Sequence, residues 1–154
     1  MATLLNGYLQ NGYTLTISSF CKEEGDEESV ERLRARMGIE EADSRVRNVF
    51  YNGKNEEEVL SAMASAEGII ASRFHAAILG LVAKRPVLPI VYSDKTLHVL
   101  EDIGFAGKVL DLRKGDTITF EDAQENFQKM QLPDVEKLAK EAEQHFAKLD
   151  EIFL

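Results

Sequence analysis

The chain has 154 residues, a length at which one domain buries roughly 70% of its unfolded surface. Hydrophobic residues make up 44% and charged residues 29%, a globular composition, and no apolar run reaches the roughly 18 residues that a membrane span requires. The formal net charge of −9 repels nucleic acid and anionic lipid over most of the surface. We therefore expect no nucleic-acid partner, and any anion site has to be local.

The first residues and the single cysteine restrict the class of protein further. Residues 1–5 lack the basic segment and apolar stretch of a secretory signal, so a soluble, cytoplasmic protein is expected. Cys21 has no second cysteine for an internal disulfide, and no Cys/His cluster has the spacing of metal ligands. Neither a metal nor an organic cofactor is expected.

Short β-branched runs alternate with stretches of helical spacing, which indicates an α/β fold with a parallel sheet. The acidic run 23–31 predicts a solvated loop leading into a helix, with no function. The elements predicted for the first half are a helix ending at Asn11-Gly12, a strand at 14–20, a helix at 29–37, a strand at 46–51 and a helix from Asn55 to about Ala66.

The second half continues the alternation. The strand at 68–72 is an unbroken apolar run, typical of a strand buried on both faces. The elements that follow are a helix at 74–83, a strand at 87–92, a helix at 96–103, a strand at 108–112, a short helix from Phe120 and an amphipathic helix at 134–154. No linker or repeat divides the chain, so residues 1–154 are expected to form one α/β domain: a three-layer Rossmann/flavodoxin-like sandwich with a mainly parallel sheet of about five strands.

A candidate site follows the third strand. In open α/β sheets ligands bind beyond the carboxyl ends of the strands. Ser72 can cap the next helix and leave its first N–H groups free for an anion, while Arg73 offers a fork of donors suited to carboxylate or phosphate. His75, in the same turn, can donate a hydrogen bond or move a proton. These three residues predict an anion pocket with an acid/base group.

Basic residues are concentrated around this site. The segment 70–98 carries Arg73, Lys84, Arg85 and Lys95 against the single acid Asp94. Tyr92 and Lys95 follow the neighbouring strand and are expected to face the same cleft. A lone arginine at a helix start is often a surface residue, and a lone histidine beside an apolar helix is usually structural. Their coincidence at the end of a buried strand, in an acidic protein, favours a functional site.

The same residues carry a family resemblance. Residues 68–80 (Gly-Ile-Ile-Ala-Ser-Arg-Phe-His-Ala-Ala-Ile-Leu-Gly), 84–95 (Lys-Arg-Pro-Val-Leu-Pro-Ile-Val-Tyr-Ser-Asp-Lys) and 100–105 (Leu-Glu-Asp-Ile-Gly-Phe) resemble the C-terminal domain of the polysaccharide pyruvyl transferase family. The similarity extends over most of residues 14–112. Its main elements are an Arg-x-His-Ala motif on a strand-to-helix turn, a Pro-containing strand and a Tyr-x-x-Lys.

The resemblance implies a function. Members of that family pair two Rossmann-like halves in the manner of GT-B glycosyltransferases and transfer pyruvate from phosphoenolpyruvate to sugar hydroxyls as a ketal. By this resemblance Arg73 would bind the donor's carboxylate or phosphate, and His75 would contact the donor or transfer a proton. Ser72, Tyr92 and Lys95 would complete the donor site. The acceptor would be a polysaccharide or lipid-linked sugar of exopolysaccharide biosynthesis.

The chain departs from the family pattern in three ways. Phe74 stands where the family usually has leucine, the family's N-terminal half has no counterpart, and the basic strand that normally opens the C-terminal half is absent from the sequence. The chain is therefore expected to be the C-terminal part of a larger two-domain protein and to be inactive alone. Deleting the first strand from the order 3-2-1-4-5-6 leaves, after renumbering, the flavodoxin-like order 2-1-3-4-5. This predicts that the first and third strands pair directly.

One alternative function remains open: a non-catalytic binding or scaffolding domain of GT-B-like fold. The exposed helix faces are also compatible with a homodimer. Three other classes of protein fit the sequence poorly. A nucleotide-sugar transferase or epimerase half would need a glycine pair and a glutamate for the ribose, and neither occurs near Ser72. A response-regulator receiver would need an aspartate after its third strand, and a flavodoxin would need a phosphate loop where this chain has the acidic residues 22–26.

Overall fold

The predicted α/β fold class is confirmed in the computed structural model, which describes the backbone of residues 1–40 and 42–153 and the side chains of residues 1–40 and 42–144. The helices are α1 (Ala2–Gln10), α2 (Asp26–Met37), α3 (Glu56–Ser65), α4 (Phe74–Val82), α5 (Asp94–Asp102), α6 (Phe120–Lys129) and α7 (Val135–Phe153). The strands are β1 (Leu15–Ser19), β2 (Val46–Phe50), β3 (Ile69–Ala71), β4 (Val87–Val91) and β5 (Leu110–Asp111). The closing helix thus lies where it was predicted, and Leu154 lies outside the described residues.

Helices cover both faces of the strands, which confirms the sandwich architecture. On one face Leu4 and Tyr8 of α1 pack with Ala123 of α6 against Leu88 and Ile90 of β4. On the other face α4 packs against β3 and β4, and α3 packs against β2. β4 is the centre of this core, since every one of its residues is buried.

The strands form two parallel sheets. β1 pairs with β2, and β3, β4 and β5 pair in that order. The predicted order 2-1-3-4-5 is wrong at one position, because β1 and β3 do not pair. Helix α1 and helix α3 each pack on residues of both sheets, so the separation of β1 and β3 depends on how these helices pack. Pairing β1 with β3 would require these helices to repack. A prediction of strand order does not take helix packing into account.

Two local predictions also need correction. Helix α2 begins at Asp26, three residues before the predicted start, so part of the presumed acidic loop is helical. Asp26, Glu27 and Glu28 occupy its first turn, where carboxylates stabilise the positive end of the helix dipole. Strand β3, predicted to be buried on both faces, has Ile69 and Ile70 only half-buried. Both isoleucines border the space between β1 and β3.

No helix among the described residues combines the length and the apolar character needed to cross a membrane.

Candidate functional site

Arg73 lies at the junction of β3 and α4, where it is the residue that precedes the first helical turn. Its guanidinium is not free, because it is bound by two carboxylates of the β1–α2 segment. The Nε donates to Asp26 Oδ1 at 3.1 Å, and the terminal nitrogens donate to Asp26 and to Glu24. The arginine therefore ties the carboxyl end of β3 to the carboxyl end of β1.

The two carboxylates differ in how firmly they are held. Asp26 has only 16% of its side chain exposed, and its Oδ2 also accepts hydrogen bonds of 3.0 Å from the backbone N–H groups of Phe20 and Cys21. Burial alone would raise the pKa of Asp26, but the hydrogen bonds from Arg73, Phe20 and Cys21 outweigh it and lower that pKa. Glu24 has 62% of its side chain exposed. Asp26 is thus a fixed partner of Arg73, and Glu24 is one that solvent or a ligand can replace.

The start of α4 differs from the prediction. Ser72 was expected to cap the helix, but Arg73 occupies the capping position, and no side chain makes a capping hydrogen bond there. Ser72 is exposed. The N–H of Ala77 is the first in α4 to bond back, to the carbonyl of Arg73 at 3.1 Å. The preceding N–H groups of Phe74, His75 and Ala76 therefore remain available at the positive end of the helix.

His75 and Lys95 flank the ring of Phe74. His75 is exposed, and its imidazole lies edge-on to Phe74 with ring centroids 5.4 Å apart. Helix α5 begins at Asp94, two residues before the predicted start at residue 96, so Lys95 lies in its first turn. The Lys95 Nζ is 5.9 Å from the centre of the Phe74 ring. The structure thus brings Lys95, from the segment that follows β4, to Phe74 in the first turn of α4.

A second ionic cluster follows β4 and β5. Arg113 donates to both oxygens of Asp111 at 2.8–2.9 Å and to Asp94 at 2.7 Å. The hydrogen bond from Arg113 holds the pKa of Asp111 at about 2. Tyr92, which directly follows β4, is 58% exposed. The predicted site residues therefore all follow the carboxyl ends of strands: Ser72, Arg73 and His75 follow β3, and Tyr92 and Lys95 follow β4. Asp94, the neighbour of Lys95 in the chain, forms an ion pair with Arg113.

The basic segment predicted around the site is divided. Lys84 and Arg85 precede β4 and therefore lie at the opposite edge of the sheet from residues that follow strands. Lys84 forms an ion pair of 2.7 Å with Glu136. Only Arg73 and Lys95 of the four basic residues are at the carboxyl edge. In the part of the chain that the structure describes, no group of His, Cys, Asp and Glu side chains is arranged to hold a metal ion.

A cavity of about 840 Å³ lies beside the candidate site. We call this cavity the slot. Its walls include both unpaired strand edges, residues of β1 on one side and of β3 on the other, and its lining extends to Asp26, Ser72 and Arg73. Another cavity, of about 410 Å³, lies between the ends of α1 and α2 and shares no lining residue with the slot.

Sequence reasoning missed Glu24 and Asp26, which were assigned to a solvated acidic run. One signal could have found them. The loops after β1 and β3 leave the carboxyl edge of the same parallel assembly, so a carboxylate in the first loop comes within reach of an arginine in the second. The run was predicted to be solvated as a whole because of its acidic composition, and most of its other acids are indeed solvent-exposed.

The chain was compared with curated proteins, with solved structures and with models of protein families. Neither the curated proteins nor the solved structures contain a match to this chain. The family model described as polysaccharide pyruvyl transferase matches residues 2–94, more than half of the 154 residues. The matched region includes β3, the Arg73–His75 turn and β4, but it ends one residue before Lys95 and does not reach residues 100–105. The chain belongs to the polysaccharide pyruvyl transferase family.

Proposed function

We propose that this chain is the donor-binding, C-terminal domain of a two-domain pyruvyl transferase that uses phosphoenolpyruvate, with the donor bound at the start of α4. One observation carries the proposal: Arg73, His75 and backbone N–H groups without helical partners all stand at the start of α4, and the Lys95 ammonium lies 5.9 Å from the ring of Phe74 in the same turn. Helix N-termini and guanidinium groups are suited to phosphate and carboxylate.

The carboxylates around Arg73 define how the donor would enter. A phosphoenolpyruvate carboxylate or phosphate would take the place of Glu24, whose side chain is largely exposed, while Asp26 keeps Arg73 oriented. The exchange replaces one ion pair by another, so it demands little reorganisation of the protein. Lys95 would add positive charge beside the phosphate, and Tyr92 and Ser72 would offer hydroxyl groups at the rim.

The reaction needs a proton donor near the enol carbon. When a sugar hydroxyl adds to C2 of phosphoenolpyruvate, C3 must accept a proton; a second hydroxyl of the sugar then displaces phosphate and closes the ketal. His75 is exposed at the helix start and close to the proposed anion position, so it can supply or relay that proton. The acceptor, a polysaccharide or lipid-linked sugar of exopolysaccharide biosynthesis in the cytoplasm, would be held between this domain and an N-terminal one. The isolated chain is therefore expected to bind the donor without transferring pyruvate.

A second candidate is favoured by the ion pairs themselves. If Asp26 and Glu24 hold Arg73 permanently, the arginine is a structural tie between β1 and β3, and the chain is a non-catalytic binding or scaffolding domain of the same fold. The two functions differ in what happens when the exposed carboxylate is neutralised.

The test is a titration of the chain with phosphoenolpyruvate. Binding is measured by calorimetry and by changes in the NMR signals of the backbone amides of Phe74, His75 and Ala76. The donor-site proposal predicts weak, salt-sensitive binding that Arg73→Ala abolishes. Glu24→Gln should tighten binding by about two- to fivefold, because an exposed ion pair contributes about 0.5–1 kcal/mol. Glu23→Gln is the matched control: it removes an equal charge from the same exposed loop, where the Glu23 carboxylate accepts from the Cys21 thiol instead of from Arg73.

The outcomes separate the candidates. Equal tightening by both glutamine variants would mean that only overall charge matters, and binding that survives Arg73→Ala would place the donor elsewhere. Absence of binding in every variant would support the scaffolding domain.

A further inference from the structure

The ends of β4 and β5 carry the two most exposed large hydrophobic side chains that the structure describes. Tyr92 directly follows β4 and is 58% exposed, and Leu112 directly follows β5 and is 57% exposed. Val91 and Asp111 are register partners in the parallel pair, so the two residues that follow them leave adjoining strands side by side. An aromatic and an aliphatic side chain are therefore exposed next to each other at the carboxyl edge.

The turn that carries Leu112 is fixed by hydrogen bonds. Asp111, with 4% of its side chain exposed, accepts from the backbone N–H of Arg113 at 3.0 Å and caps the 3₁₀ turn Leu112–Lys114. The backbone N–H of Asp111 in turn donates to Asp116 Oδ2 at 3.0 Å. The backbone on both sides of Leu112 is thus ordered before any ligand binds, which lowers the entropic cost of binding.

Ionic side chains border this exposed pair. Arg113 Nη1 donates to Asp94 at 2.7 Å, a bond that joins the segment after β4 to the segment after β5. Asp111 accepts from the other two guanidinium nitrogens, and the Lys114 ammonium lies 3.9 Å from the same carboxylate. In this cluster two carboxylates balance two basic groups. Asp94 and Arg113 are exposed, so the border offers both acceptors and donors to a ligand without a net charge.

These features favour a small, neutral ligand with hydroxyl groups. Two exposed side chains provide far less than the roughly 1,000 Å² that a specific protein interface buries. An anion gains little from a cluster whose charges balance, whereas a hydroxyl group can donate to a carboxylate and accept from a guanidinium. A pyranose ring has C–H groups that pack on aromatic and aliphatic surfaces, and it has hydroxyl groups around its edge. A sugar therefore matches both the exposed pair and its border.

We propose that Tyr92 and Leu112 form a platform on which the pyranose ring of the acceptor sugar packs, while Arg113 and Asp94 bind its hydroxyl groups. That this sugar is the acceptor rests on the proposed transferase function. The position is suitable, because β4 is the neighbour of β3 and neighbouring strands are about 4.8 Å apart. A ring packed on Tyr92 thus lies beside the start of α4, where the donor is proposed to bind.

The test titrates the chain with the methyl β-pyranosides of glucose, galactose and mannose, each in the presence and in the absence of phosphoenolpyruvate. Binding is measured by changes in the NMR signals of the backbone amides of Leu112 and Arg113 and by saturation transfer to the C–H protons of the sugar. We expect weak binding of at least one pyranoside and none of sorbitol, which carries hydroxyl groups without a ring. Tyr92→Ser should weaken binding by about fivefold or more, because the aromatic face is lost, and Tyr92→Phe should preserve it.

Leu112→Ser should also weaken sugar binding, and Leu60→Ser is its matched control, because Leu60 is an exposed leucine of α3. Equal weakening by these two variants would overturn the platform, and so would a loss in Tyr92→Phe as large as that in Tyr92→Ser. Absence of binding by all three pyranosides under both conditions would also overturn it.

Titration of the same samples with phosphoenolpyruvate separates this inference from the proposed function. Sugar binding without phosphoenolpyruvate binding supports the platform and contradicts the donor site. Phosphoenolpyruvate binding without sugar binding supports the donor site and overturns the platform.

Discussion

At the scale of single residues, charge pairing decides what the carboxyl edge can do. Arg73 and Arg113 stand at corresponding places, after β3 and after β5, and each is bound by two carboxylates. In both cases one carboxylate is shielded and the other is exposed: Asp26 and Glu24 for Arg73, Asp111 and Asp94 for Arg113. The shielded acids orient the guanidinium groups, and the exposed acids leave a side open to a ligand.

The lowered pKa of the shielded acids predicts acid sensitivity. The pKa of Asp111 is about 2 in the folded chain and about 3.8 without its partners, and that of Asp26 is lowered as well. Between about pH 4 and pH 2 the unfolded chain therefore binds more protons, so the free energy of unfolding falls as the pH falls through this window. Arg113→Met should reduce this slope. Urea denaturation at pH 2.5, 3.5 and 6 measures it, and an identical slope in the variant would show that Asp111 keeps its pKa without Arg113.

At the scale of elements, the junction of β3 and α4 positions the candidate site. Helix α4 approaches the strands closely because Gly80 faces them: a methyl group there would lie 2.8 Å from Val87 Cγ2 and 3.0 Å from Ile69 Cδ1. Both neighbours are β-branched and stiff, and Val87 is fully buried. This close approach keeps the start of α4, with Arg73 and His75, beside the ends of the strands.

Gly80→Ala is therefore expected to lower the free energy of unfolding by about 1–2 kcal/mol, although alanine favours helix more than glycine does. Ser61→Ala, at an exposed position of α3, is the control and should be neutral or slightly stabilising. Thermal and urea denaturation measure both. A stabilised Gly80→Ala variant would show that α4 can move away from β4 without cost.

At the scale of the whole molecule, the two sheets share one apolar core without sharing hydrogen bonds. Leu15 and Ile17 of β1 and Ile70 of β3 pack into the same cluster beneath α1 and α2. The helices, rather than a continuous ladder, hold the sheets side by side. Stability should therefore be concentrated around β4 and be weaker at the slot.

Two alanine substitutions test this distribution. Leu88→Ala removes a fully buried side chain between β4 and the α1 and α6 layer and should lower the free energy of unfolding by about 3–4 kcal/mol. Ile70→Ala, at a half-buried position on the slot, should lower it by about 1–2 kcal/mol. Urea denaturation at neutral pH compares them, and equal losses would indicate that the slot is as tightly packed in solution as the centre of the core.

The sequence alone determined the order and type of the elements, because each depends on local signals: helical spacing in α1 and α4, Pro86 before β4, glycines after α1 and α2. It also located Arg73, His75 and Lys95 at strand ends, since a residue's place relative to its own strand is local information. Only the tertiary structure decided that β1 and β3 do not pair and that Glu24 and Asp26 bind Arg73. Both facts join segments far apart in the chain, and they depend on the spacing that packed helices impose, which no local pattern encodes.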